Sequence, residues 1–526
     1  MTNASKYFLA IDLGTGGPKT AIVSSAGNIL GTGKASVETM HLPEGGAEQD
    51  PAAVWDAVKA SCKDALSTSE IDPKAVVGVM CASQYSSVIP VDRDGNHTMN
   101  MVVWMDRRGA ARTLKKETAF PKRADNPWQL YRWLRIHGLP PVGDGNDTLS
   151  HMRWIKFARP EVYARTATFL EPMDFVALKF TGRAAANQCT AFMMLLTDNR
   201  KLNVTEYHDR LVAYSLIDRE KLPELVPIDA VIGTVKEDVA AELGLSPETE
   251  GIAGVNDTQI GGIVTGAFKG THAGISVGTT SVMITHVDFK KTDVRHAILS
   301  MPSPLPDKWF VMAENGAGGL ALEHFLQKIV FSEDEFGTLT TEDKYRALGR
   351  AVDTVEPGSK GLLFLPWMSG SIAPTADGRM RGGFLNIDAQ TTRSQMARAV
   401  LEGVSMNLRW LRPAVERFAK RPLTHFVFYG GGALMDEWAQ IMADVLYAPI
   451  HQMENPRYAN CLGCAMLGFH RLGLVPLDEM EHRVPIKKIY QPREEHKKTY
   501  DKLFKQFVAS FKRTRPIFRA LNAPER

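Results

Sequence analysis

A chain of 526 residues exceeds one ordinary hydrophobic core and predicts two large domains. Its apolar fraction of 44% and charged fraction of 23% exclude a disordered or bilayer-embedded class. A formal net charge of +3 gives no electrostatic case for nucleic acid or anionic lipid as a partner.

The opening MTNASKYFLAIDLG lacks a basic segment followed by an apolar one, so no secretory signal is expected. No apolar run is long enough to span a bilayer. Five cysteines, an odd and sparse set, predict reduced thiols and a cytoplasmic location. Cys461 and Cys464 form one CxxC without a second ligand pair, so buried free thiols in a packed helix are expected rather than zinc.

In chain order, FLAIDLGTGGPKTAIV (residues 8–23) reads as two apolar strands around a glycine-rich turn. That turn is expected to be longer than the two residues a bare hairpin needs. AEQDPAAVWDAVKASCKDAL reads as a helix with Asp50 at the N-cap, Pro51 in the first turn, and Val54, Trp55, Val58 and Cys62 on one face. AVVGVMCAS is a buried strand, and a hairpin turning at Asp94-Gly95 follows. Helical patterns fill much of 127–220. This alternation predicts an α/β fold. AGISVGTTSVMITH repeats the strand–Gly-Thr–strand pattern, with Gly278-Thr279 lying 264 residues after Gly14-Thr15. Two such units, one opening each half, point to duplicated domains facing one another. Later come ENGAGGLALEHF, a glycine-rich lead into a helix; GLLFLPWMSG, a strand ending in a loop; an amphipathic helix through ARAVLEGVSMNLRWL; and HFVFYGGGALMDEWAQIMADVL, a strand, three glycines and a helix. Residues from Ile486 onward read as a C-terminal helix whose basic residues, among them Lys497, Lys498, Lys502, Lys505, Lys512, Arg513 and Arg515, form a solvated face.

The first turn fits neither the Walker A pattern, because Pro18 stands before Lys19, nor the GxGxxG pattern. Its glycines allow backbone N–H groups to close on phosphate oxygens. Asp12 can hold Mg²⁺, and Lys19 can balance phosphate charge. A plain hairpin whose Asp satisfies turn amides explains the same residues. Three further glycine sites, at 278–280, 316–319 and 430–433, fit a nucleotide gripped from both halves. In GIAGVNDTQIGG, Asp257 stands where a helix begins. Taken alone, an N-cap is the stronger reading; a carboxylate accepting the proton of a substrate hydroxyl is the other.

Together these pieces resemble the FGGY carbohydrate kinases, xylulokinase-like branch, of the actin–hexokinase ATPase superfamily. The resemblance runs from about residue 6 to about 510. It rests on the order and spacing of AIDLGTGGPKTAIV, VVGVMCASQYSSVIPVDRDGNHTMNMVVWMDRR, FLEPMDFVALKFTG, GVNDTQIGG, ISVGTTS, ENGAGG, LPWMSGSIAPTADGRMRGGFLNI and YGGGALMDEWAQIMAD. It implies two RNase H-like domains flanking a deep cleft, with residues 1–265 carrying sugar and phosphate or metal contacts and 266–526 the nucleotide. Asp257 is implied as the general base. Asp12, with Asp257, is implied at Mg²⁺. Gly14, Thr15, Gly16, Lys19, Gly278, Thr279, Thr280, Gly318, Gly431, Gly432 and Ala433 are implied around ATP. Gln84, Tyr85, Trp104, Asp106, Asp257, Thr258 and Gln259 are implied as the reader of the sugar.

One departure concerns the substrate. Xylulokinases usually carry Gln-Met-His where this chain has Gln84, Tyr85 and Ser86. A pentulose-like ketose is favoured, and a polyol or a sugar acid stays open, the latter because Arg107 and Arg108 adjoin Asp106. An actin-like ATPase or an inactive sugar sensor is the alternative class, and a homodimer is neither required nor excluded.

Overall fold

The computed structural model describes residues 6–110, 126–141, 143–331, 333–334, 337–338 and 343–523. Two sheets organise it. In the first, the order is Ile29–Lys34, Gly17–Ser24, Tyr7–Gly14, Val76–Ser83, Glu250–Ile252 and Val231–Thr234. In the second, Trp309–Ala317, Thr280–Val287, His272–Val277, His425–Tyr429, Ile450–Met453 and Ile486–Tyr490 stand in the same relative places, with two more strands beyond Trp309–Ala317. Each has an antiparallel hairpin, a third antiparallel strand on its outer side, and parallel neighbours on the other. The duplicated strand–Gly-Thr–strand units are thus the starting hairpins of two RNase H-like sheets.

Side-chain alternation along Tyr7–Gly14 decides what Asp12 sees. Leu9, Ile11 and Leu13 pack toward Val54, Val58 and Cys62 of the Pro51–Ser69 helix. Asp50 caps that helix, its side chain accepting from the Ala52 N–H, with Pro51 in the first turn as the sequence predicts. Phe8 and Ala10 point the other way, toward the Ala459–Arg471 helix, and Asp12 continues this face. That helix belongs late in the chain yet packs on the first sheet and on the Asp257–Val264 helix. Close approach requires small residues: a Cβ on Gly468 would drive into the Phe8 ring, and one on Gly262 would stand 2.7 Å from Phe310. The Asp257–Val264 helix is therefore sandwiched between the two sheets. All five cysteines are free and buried, Cys461 and Cys464 within this central layer.

Three expectations change. The first hairpin pairs Gly14 with Gly17, so its turn is only Thr15-Gly16. Gly17 is there for φ +124° and because a Cβ would collide with the Ala35 carbonyl. Ile486–Tyr490 is an edge strand paired with Ile450–Met453, since Pro492 separates it from the helix Glu494–Leu521. On that helix Arg515 leaves the solvated face and, with Arg519, holds the buried Asp377 carboxylate, each Nε–Oδ2 distance being 2.7 Å.

Candidate functional site

Val255–Asn256 pairs with the end of Val76–Ser83, so the chain enters the Asp257–Val264 helix at the C-terminal end of the first sheet. The cap is Asn256, whose side chain accepts from the N–H groups of Thr258 and Gln259. This releases Asp257 from the capping role that the sequence alone favours. Its carboxylate is partly buried at the first helical position, accepting from the Thr258 N–H and, at 3.1 Å, from the Thr258 hydroxyl. Burial first, and the like charge of Asp12 second, push its pKa up to about 6. Asp257 is also close enough to act electrostatically on Lys19, Tyr85 and Tyr429, groups from three different segments. Asp12 binds Lys19 Nζ at 2.6 Å and accepts from Asn460 Nδ2 at 3.2 Å. Burial works against the Lys19 charge, but Asp12 outweighs it and holds the Lys19 pKa above its ordinary value.

A hydroxyl network joins the first turn to the predicted sugar segment. Thr15 Oγ1 donates to Gln84 Oε1 and accepts from the Trp104 indole N–H at 3.0 Å. Gln49 donates to the Thr15 carbonyl at 2.7 Å. The Ser87 hydroxyl accepts from the Trp104 N–H at 3.1 Å. Glu171, fully buried, accepts from the Ser87 N–H and from the Thr148 hydroxyl, fixing the 84–87 segment in which Ser86 takes φ +63°. Burial is the main reason the Glu171 pKa stands well above the ordinary range. The Tyr85 ring packs beside Phe192 with centroids 5.9 Å apart, and its hydroxyl has no partner among the described residues.

Asp106 and Gln259 lie below this surface. Asp106 is fully buried; its oxygens accept from the Ala47 N–H, the Arg108 N–H and Arg108 Nε, each at 2.8 Å. Arg108 also binds Glu48 at 2.6 Å and stacks on Trp154, while Arg107 reaches outward to Asp144 at 3.4 Å. Arg108 is thus taken up by carboxylates, whereas Arg107 makes only a solvent-exposed pair. Gln259 is buried and donates to the Pro302 carbonyl at 2.6 Å, tying the central helix to the second sheet.

In the second half, a cavity of about 870 Å³ is lined by Gly278, Thr279, Gly319, Gly431 and Gly432 together with Arg457. Thr280, Gly318 and Ala433 are not among its lining residues. The N–H groups of Gly318 and Gly319 bind carbonyls of the 278–279 turn, so this glycine-rich stretch supports the turn from behind. Thr280 is exposed at the start of its strand. Ala433 is buried, its carbonyl accepting from Gln452 at 2.8 Å. Sequence reasoning missed the far wall, where Tyr345, Arg346, Arg350 and Asp353 come from the Lys344–Asp353 helix. Gly349 inside that helix was the available signal; a Cβ there would stand 2.7 Å from Glu437 Oε1. It also missed Asn460 and Arg457. Arg457 joins the two regions, since its carbonyl lies 3.4 Å from Lys19 Nζ.

Two facing RNase H-like sheets, with a cavity of nucleotide size and a carboxylate pair at their junction, give the chain a two-domain, actin-like fold. The FGGY family of carbohydrate kinases matches through its N-terminal domain at residues 7–264 and its C-terminal domain at residues 273–472. The chain belongs to this family, and its class of reaction is ATP-dependent sugar phosphorylation. It is 26% identical over 512 residues to a xylulose kinase of Staphylococcus epidermidis, covering 97% of each chain. It is also 26% identical to a gluconokinase of Bacillus subtilis, covering 96% of this chain and 95% of that one. Its fold is similar to that of the xylulose kinase from Lactobacillus acidophilus, with TM-score 0.82, 22% identity, and coverage of 98% and 100%. Among the described residues no helix is long and apolar enough to cross a membrane.

Proposed function

We propose that this kinase transfers the γ-phosphoryl group of ATP to a hydroxyl of a small neutral sugar, a xylulose-like ketulose in preference to a sugar acid. Asp257 Oδ takes the proton of the acceptor hydroxyl, the freed oxygen bonds to the γ-phosphorus, and the bond to the β-phosphate oxygen breaks to release ADP. The observation that carries this reading is Asp257 itself: released from capping, partly buried, and more basic than an ordinary aspartate while still ionised near neutrality. Lys19 with Arg457 marks the phosphate side and Tyr85 the acceptor side. The engagement of Arg108 with Asp106 and Glu48 supports a neutral acceptor.

Asp12 and Asp257 supply hard carboxylate oxygens beside each other, which suits a divalent cation that needs only one or two carboxylates besides phosphate. Among the described residues no group of three or more His, Cys, Asp or Glu converges, consistent with a cation delivered with the nucleotide. Mg²⁺ held there would neutralise phosphate charge in transfer. We assign residues 1–265 to the sugar-binding domain and 266–526 to the nucleotide domain, and infer a cytoplasmic enzyme from its five free, buried thiols. The test is coupled ADP release across pentuloses, hexuloses, polyols and aldonates. One neutral sugar should raise release at least tenfold over the acceptor-free rate; no acceptor-dependent release would overturn the reading.

A further inference from the structure

Among the described residues, the half-buried carboxylate of Glu314 has neither a hydrogen-bond donor nor a cation. It lies on the strand Trp309–Ala317, whose residues alternate between two environments. Val311 and Ala313 belong to the core of the second half, whereas Phe310 and Met312 pack into the central layer with Ile260 and Ile263. Glu314 is the next residue on that second face.

Its register puts it in the same row, on the same face of the second sheet, as the residues under the central helix. Tyr429 pairs with Ser276, Ser276 with Val282, and Val282 with Glu314, forming one transverse row across four strands. Paired residues share a face. A Cβ on Gly261 would run into the Tyr429 hydroxyl, so this row lies under Gly261, one turn of helix from Asp257. Tyr429 and Ser276 satisfy one another in this row, and Val282 is apolar. Glu314 alone is left over: half-buried, with no hydrogen bond or ion pair from its side chain among the described residues. Burial raises its pKa, and no neighbouring charge contributes. The backbone around it is fixed, because the Glu314 carbonyl accepts from the Ala373 N–H at 3.0 Å and Asn315 Nδ2 donates to the Ala373 carbonyl at 2.9 Å.

A half-buried carboxylate with neither cation nor donor is costly to keep. Hydroxyl donors from a bound acceptor would relieve it, and a bound carboxylate would aggravate it. We propose that Glu314 is a specificity-determining residue on the second wall of the cleft, accepting hydrogen bonds from hydroxyls of a neutral polyhydroxy acceptor and disfavouring aldonates. This assignment rests on the kinase reading above.

The experiment compares the full-length wild type with Glu314→Gln and Glu314→Ala in acceptor-dependent ADP release, using neutral ketoses, polyols and aldonates. Melting temperature and ATP binding are measured alongside. The expected result is a KM for the preferred neutral sugar raised about tenfold in Glu314→Gln and up to a hundredfold in Glu314→Ala. kcat should change little, ATP affinity should be retained, and relative activity on aldonates should increase. Unchanged acceptor KM and ranking in both variants overturns the assignment, as does loss of folding or ATP binding in both. So does a wild type that prefers an aldonate to every neutral sugar. A wild type without acceptor-dependent release overturns the kinase reading itself and Glu314 with it.

Discussion

Asp12 and Ser276 each stand two residues before the turn glycine of the first hairpin in their sheets. Across the hairpin, Asp12 faces Lys19 and Ser276 faces Val282. One backbone arrangement thus serves two chemistries. The first copy carries an ion pair beside Asp257; the second is neutral, its exposed turn lines the cavity of about 870 Å³, and its partner strand leads to Glu314. The equivalent turn glycines, Gly14 and Gly278, are alike, since a Cβ at Gly14 would meet nothing nearer than 3.8 Å, and the constrained glycine lies elsewhere. Gly17 is demanded by backbone conformation and by Ala35, while Gly278 has ordinary φ and nothing within 4 Å of the place a Cβ would take. Two similar sheets supply the frame, and their side chains set an ion pair in one hairpin and a neutral cavity wall in the other.

The largest expected effect is from removing divalent cations. EDTA should bring turnover below detection and Mg²⁺ should restore it; persistent turnover would break the role given to the charged copy. Next, Asp12→Asn should lower kcat on the order of 10²–10³-fold, whereas Ser276→Ala should keep it within threefold, both read by coupled ADP release. Equal losses would erase the contrast. Gly17→Ala should cost about 3 kcal/mol in denaturant unfolding, while Gly278→Ala should cost under about 0.5 kcal/mol and weaken ATP binding about tenfold in a titration. The smallest effect concerns Asp174, buried behind the 84–87 segment, whose pKa burial holds well above the ordinary value. The folded state then keeps its proton longer than the unfolded chain does, so its contribution to stability is lost as pH rises from the ordinary carboxylate range. Asp174→Asn should raise the melting temperature at pH 8 by about 1–2 °C and leave it unchanged in acid.

Both starting hairpins were legible because they are continuous apolar runs broken by glycine. Asp50-Pro51 announced its helix for an equally local reason. Local pattern failed where the answer depended on a distant strand. Ile486–Tyr490 reads as the beginning of a helix until Ile450–Met453 claims it as an edge. Asp106 carries the look of a site residue, yet Arg108 and the Ala47 N–H, both supplied by folding, consume its oxygens. The Lys344–Asp353 wall and Asn460 reach their partners only through the packing of the second half and of the central layer. Asp257 was nameable by motif, but its release from the cap came from Asn256 taking that place.

Single-turnover phosphoryl transfer by Asp257→Asn, measured with ATP binding on the same sample, bears most directly on this account. Loss of transfer on the order of 10²–10⁴-fold with ATP affinity and melting temperature preserved is the predicted result. Near-normal sugar-dependent transfer by that variant would contradict it.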